Sequence, residues 1–314
     1  MPTPRAGGAA RGRRVSGSFR CSLAAQERGD QTIGTATHVR AFLLVEHPGP
    51  WGQSALRDTA LPGNLLAALR RRSSSAKVRI LLTRRHQQRG QEGVRVWAAC
   101  TDPVRPWLET TVLEDHHEVL DLDLEALGRG DTPGLAAHTE PVFGVCTHGR
   151  HDACCAERGR PVARALTKAY PDHTWEVSHL GGDRWAGNML VLPHGLGYGW
   201  TDPESAVAVA EAHLAGRMTP DRLRGRAGYP MSVQFAEFAV REELGEWGLD
   251  ALRPARPWEQ VEGRWRAWFE TPGGLTWEVE VVRTTDDLAA YLTCSARAEN
   301  PVPRFQVAAM RPLP

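Results

Sequence analysis

Apolar positions along this chain fall into short continuous runs separated by helical stripes, the signature of a mixed α/β protein. The first run, His38 to Glu46, is β-rich and is closed by His47-Pro48-Gly49-Pro50, a turn signal. A helix is expected to follow and to end near residues 65–72, where arginines occupy its last turn and suit the helix dipole. Lys77 to Thr83 and Val94 to Cys100 read as two further strands, completing an α/β unit. Trp107 to Leu127 reads as additional strand and short helix, and Asp131-Thr-Pro-Gly134 predicts a domain junction near residue 135.

Beyond that junction, Val142 to Cys146 reads as a short buried strand. A helix is expected over Pro161 to Tyr170, with Val162, Ala165, Leu166 and Ala169 at helical spacing. Trp175 to Ser178 is the next strand, and Met189 to Leu192 with Leu196 to Trp200 makes a hairpin around Pro193-His194-Gly195. Asp202 is an N-cap with Pro203 at the first helical position, opening a helix through Leu214 whose Ala206, Val209, Ala210 and His213 share a face. This β-α-β-β-β-α order is that of a thioredoxin-like domain, although other α/β arrangements of similar length fit it too.

A second helical stripe follows, with Met231, Phe235, Phe238 and Ala239 on one face. A hairpin comes next: Trp265, Ala267 and Phe269 alternate, Thr271-Pro-Gly-Gly274 turns, and Trp277, Val279 and Val281 alternate. A last strand near Phe305 to Ala309 is expected to join it. The expected fold class is thus α/β, a thioredoxin-like domain (135–220) preceded by a smaller α/β domain (36–134) and followed by a helix and β-hairpin region (221–314). Residues 1–35, rich in Arg, Gly and Ser and without hydrophobic periodicity, are expected to form a disordered basic tail.

Composition narrows the function classes more than the fold. A hydrophobic content of 41% against 24% charged residues is that of an ordinary globular protein. The net charge of +1 offers no global field for nucleic acid or an anionic membrane, and no apolar run approaches the roughly 20 residues that span a bilayer. Only Lys77 and Lys168 are lysines, which with the abundant Ala, Gly and Pro suggests a high-GC bacterial coding sequence. The first 26 residues carry five arginines and no acid but lack the apolar core of a secretory signal.

The chemistry concentrates between Pro141 and Gly199. Of six cysteines, Cys146, Cys154 and Cys155 cluster there, whereas Cys21, Cys100 and Cys294 stand apart and read as small buried hydrophobes. Six unevenly spread cysteines do not make a disulfide framework, so a reduced, cytoplasmic chain is expected, in which clustered cysteines bind metal or do redox work. Cys146 and Cys155 are separated by eight residues, and His179 and Asp183 by three. Thiolates, imidazole and a carboxylate from two strand ends point to a metal or iron–sulfur site, and Gly181 and Gly182 let the second loop turn sharply.

The segments Cys146-Thr-His-Gly-Arg-His-Asp-Ala-Cys-Cys155 and Trp175-Glu-Val-Ser-His-Leu-Gly-Gly-Asp-Arg-Trp-Ala-Gly-Asn188 closely resemble the sucrase/ferredoxin-like family. The resemblance covers residues 140–216 in detail and the flanks in outline. It implies kinship with thioredoxin-like [2Fe-2S] ferredoxins, and in fungal members the second loop is His-x-Gly-Gly-His. Carried over by position, Cys146 and Cys155 would be cysteine ligands and His179 the first histidine ligand. Asp183 stands where the second histidine would be. A carboxylate there is harder than imidazole, and its charge lowers the potential relative to histidine; Cys154 is the alternative fourth ligand.

The leading reading is an electron-transfer protein with a [2Fe-2S] cluster and an unidentified redox-partner protein, more a carrier than an enzyme. A thioredoxin-like thiol redox protein and a structural zinc-binding protein are the alternatives. The former lacks a Cys-x-x-Cys opening a helix. Ligation by His179 would leave a ring nitrogen free to titrate, so the potential would fall as pH rises. His148, His151 and Asp152 would tune the site by hydrogen bonds, and Arg150 and Arg184 would draw an anionic partner. No carboxylate pair stands out for glycoside hydrolysis.

Overall fold

The computed structural model describes residues 19–86 and 92–313. Two sheets carry the architecture. The first half of the larger one is built from β1 (Ala41–Glu46), β2 (Val78–Arg84), β3 (Val94–Cys100), β4 (Trp107–Leu113) and the two-residue β5 (Ala136–Ala137). Its second half comprises β6 (Val142–Cys146), β7 (Thr174–Val177), β8 (Met189–Leu192), β9 (Leu196–Tyr198) and β10 (Leu223–Arg226). The strand order is β10-β9-β8-β6-β7-β2-β1-β3-β4-β5.

Two parallel pairs, β1/β2 and β6/β7, sit at the centre of this sheet, and antiparallel pairing of β2 with β7 (Thr83 opposite Val177) welds the halves together. The junction expected near residue 135 therefore falls inside one continuous sheet. β1 shows why its sequence is an unbroken apolar run: Leu43 and Val45 pack one face against α3 (Gly63–Ala76), while Phe42 and Leu44 fill the opposite face. The short helices α1 (Cys21–Glu27) and α2 (Ala55–Asp58) precede α3, and α4 (Leu124–Arg129) follows β4.

Residues 142–214 run β6, α5 (Ala153–Ala169), β7, β8, β9, α6 (Pro203–Leu214). The expected cap of α6 is present as a capping box, Asp202 with Ser205, and its buried residues are Ala206, Val209, Ala210 and His213. The start of α5 differs from the expectation. The helix opens at Ala153, capped by the Asp152 side chain, and carries Pro161 in its interior. Asp152 supplies the capping acceptor that starts a helix, whereas Pro161, well suited to a first turn, here sits two turns in.

The smaller sheet is an antiparallel meander of β11 (Arg253–Val261), β12 (Arg264–Glu270), β13 (Thr276–Ala290) and β14 (Asn300–Leu313), with Ala267 opposite Val279 as the alternation requires. Preceding it, α7 (Met231–Leu244) lies between two cores. Its fully buried face is Val233, Ala236 and Val240 against the small sheet, with Phe235 partly buried between the cores; Met231 is exposed. The expected face of Met231, Phe235, Phe238 and Ala239 is corrected accordingly, because a helix covered on two sides buries more than one stripe.

The expected disordered tail is also corrected for part of its length. Residues 1–18 lie outside the described residues, but α1 is a helix with Cys21 and Ala25 fully buried. Ser22 donates to the Ala186 carbonyl at 2.7 Å, and Asp30 pairs with Arg184 at 3.3 Å. These contacts cross about half the chain, so local composition could not announce them. Among the described residues no helix is long and apolar enough to cross a membrane.

Candidate metal centre

β6 and β7 run parallel with Cys146 opposite Val177, so the loops that leave them start at the same end of the sheet. The first loop ends at Asp152, whose Oδ1 accepts the Cys154 N–H at 2.9 Å, and Cys155 lies in the first turn of α5. The helix packs hard on the end of β6. A Cβ on Gly159 would sit 2.0 Å from the Cys146 carbonyl oxygen. The second loop reverses through Gly181 (φ 93°) and Gly182 (φ 78°) into a 3-10 turn, Asp183–Trp185. A side chain at Gly182 would strike Arg224 and Trp185, each 2.5 Å from the added atom.

These two loops bring together all four residues singled out in the sequence. The sulfurs of Cys146 and Cys155 and a ring nitrogen of His179 lie within 4.8 Å of one another, and His151, His179 and Asp183 form an overlapping group. Cys155 Sγ lies 3.6 Å from Asp183 Oδ1. His179 Nδ1 is buried 3.1 Å from the same oxygen yet makes no hydrogen bond. His151 stacks on His179 with centroids 3.7 Å apart and places Nε2 3.9 Å from Asp183 Oδ2. Cys146, Cys155 and Asp183 are buried, whereas the side chains of His179 and His151 are 22% and 35% exposed. The sulfur side of the site is dry and the imidazole side reaches solvent.

The electrostatics separate the two thiols. A hydrogen bond from Cys155 and the nearby His179 hold Cys146 well below the ordinary thiol range, against the opposing effect of burial. Cys155, as the donor of that bond, is held above it. Burial pushes the Asp183 carboxyl up, and His179 opposes the shift. His148 donates Nε2–H to the Gly52 carbonyl at 2.6 Å and accepts the His179 N–H at Nδ1, 3.2 Å away, which defines a neutral tautomer. Its pKa is lowered by burial.

Two arginines fix the second loop from behind. Arg79 donates to the His179 carbonyl at 2.8 Å. Arg224, buried, donates to the Gly181 carbonyl at 3.0 Å, to Asn188 Oδ1 at 2.6 Å and to the Thr35 carbonyl. Asn188 in turn donates to the Gly182 carbonyl at 2.9 Å and so fixes the turn. Burial lowers the Arg224 pKa to about 9. Sequence reasoning missed both arginines and the stacking of His151; a lone Arg inside the apolar runs Val78-Arg79-Ile80 and Leu223-Arg224-Gly225 was the available signal.

Two sequence expectations change. Cys154 does not join Cys146 and Cys155; its sulfur lies 3.4 Å from that of Cys294, in a separate group with Cys21 and Asp152. Arg184 is buried against Asp30 and stacks over Trp185, so it is not free to attract a partner, whereas Arg150 is exposed. Two buried thiols grouped with an imidazole, which is shared with a second group that holds a carboxylate, offer donors suited to soft or borderline metals.

A family model described as sucrase/ferredoxin-like matches residues 32–225. Searches among curated proteins and among solved structures gave no match. The matched segment covers more than half of the 314 residues and includes both loops of the candidate site and nearly all of the ten-stranded sheet. The chain therefore belongs to the sucrase/ferredoxin-like family.

Proposed function

We propose that this protein is a one-electron carrier whose [2Fe-2S] cluster is held by Cys146, Cys155, His179 and Asp183. The observation that carries the reading is that the parallel strands β6 and β7 bring Cys146 and Cys155 from one segment and His179 and Asp183 from the other to the same end of the sheet, with dry sulfurs and a partly exposed imidazole. A thioredoxin-like half-domain is supported by the order β7-β6-β8-β9, with β6 and β7 parallel and the β8/β9 hairpin antiparallel. When bound, the cluster supplies a one-electron couple.

The chain's own residues then set the terms of transfer. Cys146 offers a ready thiolate, and the N-terminus of α5 adds positive potential beside Cys155. Arg79 and Arg224 favour the more negative, reduced state, while the Asp183 carboxylate opposes it. His179 and His151 form the edge nearest solvent, the side at which a partner protein would make contact. A cleft of about 460 Å³ beside the first loop is lined by Arg84, Arg150 and Arg160 together with Trp51 and Glu157, which favours an acidic partner surface.

A second reading, a single zinc ion at Cys146, Cys155 and His179, is favoured by the compactness of that group, whose three ligand atoms all lie within 4.8 Å of one another. Anaerobic purification with iron, sulfide and zinc analysis separates the two. About two irons and two sulfides per chain with a coloured spectrum support the carrier. Colourless protein with zinc at Cys146, Cys155 and His179 supports the second reading.

A further inference from the structure

A second group of soft ligands lies on the other side of the α5 N-terminus. Cys21 comes from α1, Asp152 and Cys154 from the start of α5, and Cys294 from the connection between β13 and β14. All four ligand atoms lie within 4.8 Å of one another. The Cys154 and Cys294 sulfurs are 3.4 Å apart, Cys294 and Cys21 3.6 Å, and Cys21 is 3.8 Å from either Asp152 oxygen. Cys21, Asp152 and Cys154 are buried and Cys294 partly so.

We infer that Cys21, Cys154, Cys294 and Asp152 form a structural zinc site that clasps α1 and the C-terminal sheet to the ligand-bearing helix. Tetrahedral zinc with bonds of about 2.3 Å to sulfur has S–S edges of about 3.8 Å, so the Cys154–Cys294 and Cys294–Cys21 spacings need to open by only a few tenths of an ångström. The carboxylate is already oriented: Asp152 Oδ1 accepts the Cys154 N–H at 2.9 Å and Oδ2 the Cys294 N–H at 2.8 Å. Four protein ligands leave no open position, the mark of a structural rather than a catalytic zinc site. On binding, the three thiol protons pass to solvent and the carboxylate and three thiolates share the ion.

A disulfide between Cys154 and Cys294 would use only two of these four groups. It would leave the third thiol, Cys21, 3.6 Å from Cys294, without a role. Cys21 and Cys294 also lie outside the segment that matches the family, residues 32–225, so this clasp ties the family's sheet to elements that the match does not include. The zinc site stands independently of the proposed cluster.

The test uses the full-length chain with Cys146→Ser and His179→Ala, so that the other site is disabled, purified under reducing conditions. About one zinc per chain is expected, with X-ray absorption showing three sulfur and one oxygen neighbour, and cobalt substitution giving intense tetrahedral and thiolate charge-transfer bands. Adding Cys294→Ser should cut zinc content about ten-fold, since loss of one of four ligands weakens binding by orders of magnitude. The X-ray absorption shell of the parent variant decides the matter even if that third substitution prevents folding. Absence of zinc together with absence of the cobalt spectrum overturns the proposal, as does a Cys154–Cys294 disulfide in the reduced-purified protein.

Discussion

His179 Nδ1 and Asp183 Oδ1 lie 3.1 Å apart, both buried, and no hydrogen bond joins them. Cys155 Sγ lies 3.6 Å from the same carboxylate oxygen, so a thiol, an imidazole and a carboxylate meet there. The Gly181-Gly182 reversal and the Arg224 clamp hold them there.

Replacing that carboxylate should move the potential. Asp183→His removes a negative charge beside the cluster and puts imidazole in its place, so the potential is expected to rise with about two irons per chain retained. Spectroelectrochemical titration of the two proteins checks this. An unchanged potential would place Asp183 outside the ligand set.

Arg224→Leu should loosen the whole second loop. It strips donors from the buried carbonyls of Thr35 and Gly181 and from Asn188 Oδ1, at roughly 1–3 kcal/mol for each unsatisfied group. A stability loss of at least about 3 kcal/mol is expected from urea midpoints, together with lower iron content. A midpoint equal to the parent's would show that the clamp does not hold the loop.

Acid stability has a separate origin, at the far end of the sheet. His213 Nε2 and His194 Nδ1 are 3.0 Å apart, and burial lowers His194 to about 4 and His213 to about 3. Between about 6.5 and about 4 the unfolded chain binds protons that the folded one refuses, so stability falls as pH drops through that window. The loss is on the order of 3 kcal/mol for each of the two histidines, one pKa unit being about 1.4 kcal/mol. Urea titrations across this range should show the slope, and His213→Gln should flatten it; a flat wild-type profile would contradict the assignment.

How much of this was legible depended on how local the cause was. The strands β1 and β6 carry continuous apolar runs because both faces are covered, and the β12/β13 register follows from alternation at Ala267 and Val279. That Cys146 and His179 would come close was readable because β6 ends at Cys146 and β7 at Val177, two parallel strands ending on the same side. The true start of α5 was hidden by Pro161, which looks like a first-turn residue, although Asp152 carried the capping signal. Cys21 and Cys294 could not be paired with Cys154 from sequence, since 133 and 140 residues separate them and only the folded sheet brings them together.

The most direct measurement of the central claim is electron paramagnetic resonance of the anaerobically reduced protein, with iron and sulfide analysis, on wild type, His179→Ala and Asp183→Ala. The carrier reading predicts about two irons and two sulfides per wild-type chain, with one unpaired spin on reduction. It predicts that the signal is lost in His179→Ala and lost or altered in Asp183→Ala. A wild-type chain that stays colourless and iron-free after anaerobic reconstitution, or a signal indifferent to His179, would contradict it.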